Sequence, residues 1–324
     1  MDPLRIVFLD RDTFPESIDI PAPSVPHEWI VHARTTAEQV VERIRDADIV
    51  VTNKVVLTAA MLQHAPRLRM IALAATGTDN IDLDACNLRR IIVSNVRDYA
   101  AHTVPEHTFS LILALRRNLL AYRQSVVDGR WHDSGQFCYF DYPVRDLAGA
   151  TLGIIGRGAL GEAVAEIARA FDMRVQFAAR RDAGAPADDY TSFTHFLRTS
   201  DVISLHCPLN EQTRGMIGAE EFALMERRPL LINTARGGLV NEQALEHALE
   251  SGQISGAGFD VATQEPPGPD HPIMKLLRFP NFILTPHVAW ASQEAIRAMA
   301  TQVRDNIEAF CRDAPRNVVA GFHG

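Results

Sequence analysis

The stretch TLGIIGRGALG, residues 151–161, carries the most specific indication of the fold of this chain. A short apolar run reaches Gly156, and Gly156, Gly158 and Gly161 have the GxGxxG spacing in front of a helical pattern. In such a strand–turn–helix unit the first glycine makes the tight turn, the second lets a pyrophosphate approach the backbone, and the third lets helix and strand pack closely. The helix N-terminus adds free N–H groups and a partial positive charge. The stretch predicts a dinucleotide cradle, with Ala159 and Leu160 in its first helical turn. A tight turn without a ligand is the plain alternative.

The end of the second strand departs from the usual pattern. A carboxylate normally stands roughly 20 residues after the first glycine and binds a ribose 2′-hydroxyl. Here the strand MRVQFAA ends at Ala179, and Arg180 and Arg181 follow. Alanine does not repel a 2′-phosphate, and two guanidinium groups can pair with it. We therefore expect NADP(H) to be preferred. Asp182 could partly neutralise the pair, and solvated arginines with NAD(H) as the cofactor are the alternative.

The rest of the chain has the same alternation of short apolar runs and helical patterns. RIVFLD, ADIVV, LRMIALAA and IIVSNV predict four buried strands in the first hundred residues; TLGIIG, MRVQFAA, DVISLHC, LLINTA, GAGFDV and FILTPH predict six more. Runs without polar alternation are typical of parallel strands covered by helices on both faces. The predicted fold is α/β, with two doubly wound parallel-sheet domains: a Rossmann cofactor domain and a flavodoxin-like substrate domain, with a cleft between them.

The domain boundaries follow from two helical segments. TVPEH, residues 103–107, has the form of a capping box in which Thr103 caps and Glu106 reaches back, so a helix should carry the chain into the second domain. The apolar residues of the last helical segment, from Ile296 to Phe310, form one stripe that can pack back on the first domain. We expect a discontinuous substrate domain, residues 1–98 with 291–324, and a dinucleotide-binding domain, residues 99–290.

Composition excludes several classes of protein. The 324 residues are 47% hydrophobic and 22% charged, so the chain can bury a core, and the net charge of −8 argues against a general affinity for nucleic acid or anionic membranes. No apolar run is long enough to span a bilayer. The four cysteines lack metal-ligand spacing, so no metal site is expected, and they fit reduced thiols in a cytoplasmic protein.

Six motifs in a characteristic order give the chain a specific resemblance. They are ATGTDNID (75–82), TVPEH (103–107), GRGALG (156–161), INTARGGLV (232–240), FDVATQEPP (259–267) and TPHVAW (285–290). In this order, over nearly the whole length, the chain resembles the D-isomer-specific 2-hydroxyacid dehydrogenases. QFCYFDYPVRDL (136–147) and TPHVAWAS resemble most closely their glycerate dehydrogenase, or hydroxypyruvate reductase, branch.

The resemblance implies a catalytic set of Arg236, Glu265 and His287. His287 would be the general acid that protonates the keto oxygen, and an imidazole suits this role because it titrates near working pH. Glu265 would hold the other ring nitrogen, and Arg236 would bind the substrate carboxylate and keto oxygen with its planar fork. Taken singly, each could be an ordinary loop residue. Their common position at strand ends, in the family's order, favours the functional interpretation.

The resemblance also implies contacts around the cofactor and the substrate. Asp260 would lie near the nicotinamide carboxamide and Arg236, or form a structural pair with that arginine. Thr103 would be a helix cap first and a nicotinamide-side contact second. The other predicted cofactor-binding residues are Cys207, Pro208, Thr234 and Ala235. The predicted substrate-binding residues are Thr76 and Gly77, as an anion nest, and Asn53 and Lys54, although Lys54 could equally be a solvated charge.

These features predict an oxidoreductase that transfers hydride between NAD(P)H and a small 2-keto acid. Hydroxypyruvate and glyoxylate, reduced to D-glycerate and glycolate, are the expected substrates. Another 2-keto acid, or a non-catalytic NAD(H)-sensing protein of corepressor type, is the alternative. The aromatic-rich segment HDSGQFCYFDYPV belongs to the part that in this family reaches a second subunit, so we expect a homodimer.

Overall fold

The computed structural model describes residues 3–181, 187 and 189–321. The strands are β1 (Leu4–Phe8), β2 (His27–Val31), β3 (Ile49–Thr52), β4 (Met70–Leu73), β5 (Ile92–Ser94), β6 (Thr151–Ile155), β7 (Arg174–Phe177), β8 (Val202–Leu205), β9 (Leu230–Asn233), β10 (Gly256–Phe259), β11 (Phe282–Leu284) and β12 (Val318–Ala320). The helices are α1 (Ala37–Ile44), α2 (Ala59–Leu62), α3 (Leu83–Arg89), α4 (Thr103–Arg116), α5 (Leu119–Val127), α6 (Arg130–Ser134), α7 (Ala159–Ala170), α8 (Phe193–Thr199), α9 (Ala219–Ala223), α10 (Glu242–Glu250), α11 (Pro272–Lys275) and α12 (Gln293–Cys311).

The chain forms two compact units. Unit 1 is Met1–Ala100 with Ala291–Gly324, and unit 2 is Ala101–Trp290. Each is an α/β unit built on one sheet, which confirms the predicted fold class.

The sheet of unit 1 has the order β12-β5-β4-β3-β1-β2. Every pair is parallel except β12 with β5. The four predicted strands are present, but β2 and β12 were not predicted. Both are edge strands with little burial, so their residues lack the continuous apolar run by which a central strand is recognised. In α12, Ile296, Met299, Val303 and Ile307 are buried, and the helix packs against β4.

The sheet of unit 2 is parallel throughout, in the order β11-β10-β9-β8-β6-β7. All six predicted strands are present. Beyond β7, an isolated parallel bridge joins Ala178 and Thr191, where a doubly wound sheet of the 3-2-1-4-5-6 order carries its third strand. The strand order reverses between β6 and β8, so the carboxyl ends of these strands flank the expected ligand crevice.

The predicted capping box at the start of α4 is wrong. The helix begins at Thr103 itself, and its N-cap is His102, which makes no side-chain cap. The Thr103 hydroxyl instead donates to the Ala289 carbonyl at 3.1 Å. A local spacing cannot register this competing acceptor, which lies 186 residues away in the chain.

Candidate active site and cofactor cradle

The glycine turn after β6 has the geometry that a dinucleotide cradle needs. Gly156 has φ +107°, and a Cβ there would lie 2.4 Å from the His206 carbonyl oxygen. A Cβ on Gly161 would lie 2.1 Å from the Gly156 oxygen, so α7 packs tightly on the turn. A Cβ on Gly158, in contrast, would meet no described atom within 4 Å. The turn is therefore packed against the protein at Gly156 and Gly161 and open at Gly158, where a pyrophosphate would approach. The turn fits the pyrophosphate of a dinucleotide.

The first turn of α7 can serve an anion. Its N-cap is Gly158, which has no side chain to satisfy the N–H groups of the turn, and Ala159 and Leu160 follow. Such N–H groups, with the helix dipole, favour a phosphate.

The two arginines after β7 have different environments. Arg181 donates from Nη2 to Glu221 Oε1 at 2.6 Å, and the other oxygen of Glu221 accepts from the Gly218 N–H at 2.9 Å. Glu221 is buried, so it holds Arg181 against the start of α9. Arg180 is exposed and has no hydrogen-bonding or ion-pair partner among the described residues, while Ala179 donates its N–H to Thr191. Asp182 lies outside the described residues. The adjacent arginines therefore differ in their partners: Arg181 pairs with Glu221, and Arg180 has no partner among the described residues.

The segment after β8 is a neutral wall next to the turn. The Cys207 N–H would lie 2.8 Å from a Cβ on Gly156. Burial raises the pKa of the Cys207 thiol to about 11 and lowers the pKa of His206 to about 4, so both groups are uncharged near pH 7. The Pro208 carbonyl accepts from the Thr213 hydroxyl.

The turn that carries Arg236 is organised by Asn233, which the sequence analysis did not single out. Asn233 Oδ1 accepts from the Ala235 N–H at 3.1 Å, and its Nδ2 donates to the Arg236 carbonyl at 2.8 Å. The Thr234 hydroxyl is 3.0 Å from that of Thr108 on α4. An Asn at the last position of a buried strand, two residues before a small residue, is the local signal that marks such a side-chain turn.

The turns after β9 and β10 pack closely together. A Cβ on Gly237 would lie 2.0 Å from the Ala262 carbonyl carbon, so only glycine fits there. The Ala262 N–H in turn donates to Glu265 Oε1 at 3.0 Å. The segment that follows Arg236 and the segment that carries Glu265 therefore share one edge of the sheet.

His287 and Glu265 form a direct pair. Glu265 Oε2 is 2.5 Å from His287 Nδ1, and no described residue bonds the other ring nitrogen, Nε2. His287 has φ +54°, an unusual backbone conformation for a residue with a Cβ. The Trp290 indole N–H donates to the His287 carbonyl at 2.9 Å, which closes the turn. The structure thus holds one imidazole nitrogen and leaves the other available.

Asp260 ties this turn to the sheet. Asp260 is 1% exposed. Its Oδ1 accepts from the Val288 N–H at 2.9 Å, and its Oδ2 accepts from the Ala289 N–H at 2.8 Å. It also accepts from the Thr285 hydroxyl at 2.5 Å. In this structure Asp260 holds the backbone next to His287.

The predicted substrate-binding residues of unit 1 lie at one edge of its sheet, after β3 and β4. Asn53, Lys54 and Val55 donate their N–H groups to Asp10, a buried carboxylate that the sequence analysis did not consider. Within the described residues the N–H groups of Thr76 and Gly77 donate to no backbone or side-chain acceptor, whereas the Thr76 hydroxyl donates to the Val96 carbonyl. The backbone at Thr76 and Gly77 can therefore serve an anion.

Across the described residues there is no group of histidine, cysteine or acidic side chains arranged to hold a metal ion. No helix among them has the length and apolarity needed to cross a membrane.

The sequence is similar to those of known proteins. Residues 109–289 match the family model of the D-isomer specific 2-hydroxyacid dehydrogenase NAD binding domain. The chain is 49% identical to a glycerate dehydrogenase of Methylorubrum extorquens, with 97% of this chain and 98% of that protein covered. It is 44% identical to a putative 2-hydroxyacid dehydrogenase of Haemophilus influenzae, over 95% of this chain and 98% of the relative.

A solved structure has a similar fold. The D-lactate dehydrogenase of Aquifex aeolicus, in complex with NAD and lactic acid, superimposes with a TM-score of 0.83 at 27% identity, covering 98% of this chain and 100% of that one. The predicted resemblance to the family and to its glycerate dehydrogenase branch is confirmed. The chain belongs to the D-isomer specific 2-hydroxyacid dehydrogenases, enzymes that transfer hydride between a nicotinamide cofactor and a 2-keto acid.

Proposed function

We propose that this enzyme reduces hydroxypyruvate to D-glycerate and, as a second substrate, glyoxylate to glycolate. The observation that carries the proposal is the 2.5 Å contact between His287 Nδ1 and Glu265, which leaves Nε2 available. The 49% identity to a glycerate dehydrogenase supports the choice of substrate within the family.

His287 is the proposed general acid. A bound reduced nicotinamide would supply hydride to the keto carbon. Nε2 of a protonated His287 would donate a proton to the keto oxygen. Glu265 fixes the ring orientation by accepting the Nδ1 proton, so Nε2 is the nitrogen that can exchange a proton with the substrate. In the oxidation direction the neutral ring accepts the proton.

Arg236 is the proposed ligand of the substrate carboxylate and keto oxygen. A guanidinium presents parallel N–H groups that match two oxygens, and the Asn233 turn fixes where its side chain begins. The alignment lowers the entropic barrier, and the positive charge stabilises oxyanion character. In unit 1, the N–H groups of Thr76 and Gly77, with Asn53 and Lys54, are further proposed contacts for the acid.

The cofactor preference is proposed to be NADP(H), with Arg180 as the main ligand of the 2′-phosphate. Arg180 is exposed after Ala179, whereas Arg181 is held by Glu221. Further proposed cofactor contacts come from the glycine turn and from the strand ends of unit 2, namely Cys207, Pro208, Thr234, Ala235, Asp260 and Thr103.

The enzyme is further proposed to be a homodimer. Phe137 and Phe140 are 91% and 87% exposed, and Trp131 and Val127 nearby are also exposed. Large aromatic side chains in such a cluster favour contact with another protein surface, here a second copy of the chain. Light scattering that gives the mass of one chain would contradict this.

A turnover assay tests the proposed reaction. Purified enzyme is mixed with NADPH or NADH and with hydroxypyruvate, glyoxylate, pyruvate or 2-ketobutyrate, and loss of the reduced cofactor is followed. The proposal requires the highest kcat/KM with hydroxypyruvate. A larger value for another acid gives the alternative substrate, and binding of cofactor without turnover on any acid supports the non-catalytic alternative.

Two matched variants test the phosphate contact. Arg180→Ala should lower kcat/KM for NADPH about 10- to 100-fold, the value of a lost charge-assisted hydrogen bond, and leave NADH nearly unaffected. Arg181→Ala is the control, since its partner is Glu221, and should change both cofactors alike. Equal losses for NADPH and NADH in Arg180→Ala would reject the assignment.

A further inference from the structure

His107 on α4 lies next to the anchor of the catalytic turn. Its Nε2 is 3.0 Å from the Thr285 hydroxyl oxygen and 3.7 Å from Asp260 Oδ1. The ring is mostly buried, and all three residues belong to unit 2. None of the catalytic steps proposed above uses this histidine.

Donor and acceptor capacities fix the direction of these bonds. An ionised carboxylate only accepts hydrogen bonds, so at 2.5 Å the Thr285 hydroxyl donates to Asp260. The other possible acceptor of that proton, the Phe259 carbonyl, lies farther away at 3.5 Å. Since its single proton is used, Thr285 accepts from His107, and His107 must carry a proton on Nε2.

The contacts form one continuous chain from α4 to the backbone around His287. His107 donates to Thr285, Thr285 donates to Asp260, and Asp260 accepts from the N–H groups of Val288 and Ala289. His287, which lies between Thr285 and Val288 in the sequence, has φ +54°, a conformation that persists only where its surroundings enforce it. Loosening Asp260 therefore lets the backbone that carries the general acid relax.

We propose that His107 is a positioning residue: its Nε2–H, through Thr285, fixes the Asp260 carboxylate that holds the His287 turn. The proposal rests on the proposed function of His287 as general acid, because its kinetic effect is exerted through that residue. His107 itself does not contact the reacting atoms.

Two pairs of variants test the chain of bonds from both ends. His107→Leu and Thr285→Val each remove one member, whereas His107→Gln keeps an N–H donor near the position of Nε2 and Thr285→Ser keeps the hydroxyl. We expect the first pair to lower kcat about 10- to 100-fold, as a displaced catalytic group does, with cofactor Kd little changed. The second pair should recover most of the loss. Because both deletions break the same chain, the double variant His107→Leu/Thr285→Val should be no slower than the slower single variant.

A second readout does not depend on turnover. Hydrogen–deuterium exchange of the free enzyme should be faster at the Val288 and Ala289 amides in His107→Leu and in Thr285→Val than in the wild type. His247→Leu, an exposed histidine on α10, is the matched control and should leave exchange at these amides unchanged.

The outcomes separate the two proposals. Unchanged exchange at Val288 and Ala289 in both deletion variants overturns the positioning role, as does a His107→Gln variant as slow as His107→Leu, or losses that multiply in the double variant. If the wild type reduces no 2-keto acid, the proposed function fails, and the exchange measurement still decides whether His107 supports the turn. If His107→Leu does not fold, Thr285→Val against Thr285→Ser tests the same bond from the other side.

Discussion

Each of the two units contains a buried aspartate that binds the backbone N–H groups of a loop, but the two aspartates have different sets of hydrogen-bonding partners. In unit 1, Asp10 follows β1, is 5% exposed, and accepts three successive N–H groups, from Asn53 to Val55, and the Thr52 hydroxyl. In unit 2, Asp260 follows β10 and accepts two N–H groups and the Thr285 hydroxyl, which His107 supports from α4.

Because their partners differ, the two aspartate anchors should respond to different changes: the Asp10 anchor to pH and the Asp260 anchor to substitution of residues that support it. For Asp10, burial raises the pKa above its ordinary 3.8, and the N–H groups of Lys54, Asn53 and Val55 and the Thr52 hydroxyl act in the opposite direction without offsetting it. The contribution of Asp10 to stability therefore depends on pH. The Asp260 turn is connected to a side chain on another helix, so substitution at a distance can loosen it.

The largest effect on kcat is expected from substitution of His287, the residue whose turn Asp260 holds. His287→Ala removes the general acid and should lower kcat about 10²- to 10⁴-fold, the range for acid–base catalysis. Cofactor Kd, measured by fluorescence titration, should be nearly unchanged. Retained turnover would show that the proton comes from another group and would remove the functional meaning of the turn that Asp260 holds.

Replacement of the two aspartates compares the anchors directly. Asp260→Asn presents an amide to an N–H group and should lower kcat about 10²-fold, because the general acid is displaced. Asp10→Asn should chiefly raise KM for the keto acid, since the loop it holds carries the proposed substrate contacts Asn53 and Lys54. Steady-state kinetics with saturating cofactor separates the two parameters. Identical changes in kcat and KM for both variants would mean that the anchors do not serve different steps.

The two threonine hydroxyls allow a finer comparison. Thr52 donates to Asp10 at 3.2 Å and Thr285 donates to Asp260 at 2.5 Å. Thr52→Val should cost about 1 kcal/mol of unfolding free energy, the net value of one hydrogen bond, and leave kcat nearly unchanged. Denaturant unfolding and kinetics of this variant, next to Thr285→Val, check this. A fall in kcat as large as that of Thr285→Val would contradict the distinction.

The smallest expected effect is the pH dependence of the Asp10 anchor. Since the folded-state pKa is raised, the folded protein holds the proton more tightly than the unfolded chain. The stability that Asp10 contributes is therefore fully present below its ordinary pKa of 3.8 and is lost as pH rises through the raised value. The unfolding free energy of the wild type minus that of the non-titrating Asp10→Asn should decline over this window and then stay level. A difference that grows with pH would show that the hydrogen bonds outweigh burial.

Much of the site could be predicted from the sequence because its members follow recognisable strands. Arg236, Glu265 and His287 were singled out because they follow buried runs and stand in motifs of the family that the chain resembles, and the glycine turn was identified by its spacing. The edge strands β2 and β12 and the true start of α4 were not predicted, because a short exposed strand and a helix N-terminus depend on neighbours that a local pattern does not contain.

Arg180 and Arg181 also show the difference between what a local sequence pattern indicates and what depends on distant residues. Their chemistry is identical in the sequence, and both were expected to bind a phosphate. Only the structure shows that Glu221, 40 residues later, pairs with Arg181, whereas Arg180 has no partner among the described residues, although both arginines are exposed.

The two βα series, the dinucleotide cradle and the family can be recognised from short segments, because apolar periodicity, glycine spacing and motif order are local properties. The folded structure is needed to see that Asp10 holds residues 53–55, that Asp260 holds residues 288 and 289, and that His107 contacts Thr285 next to Asp260. These partners lie 25 to 178 residues apart in the sequence. They meet because strand order brings the carboxyl ends of neighbouring strands to one edge of each sheet, where in unit 2 the start of α4 also lies.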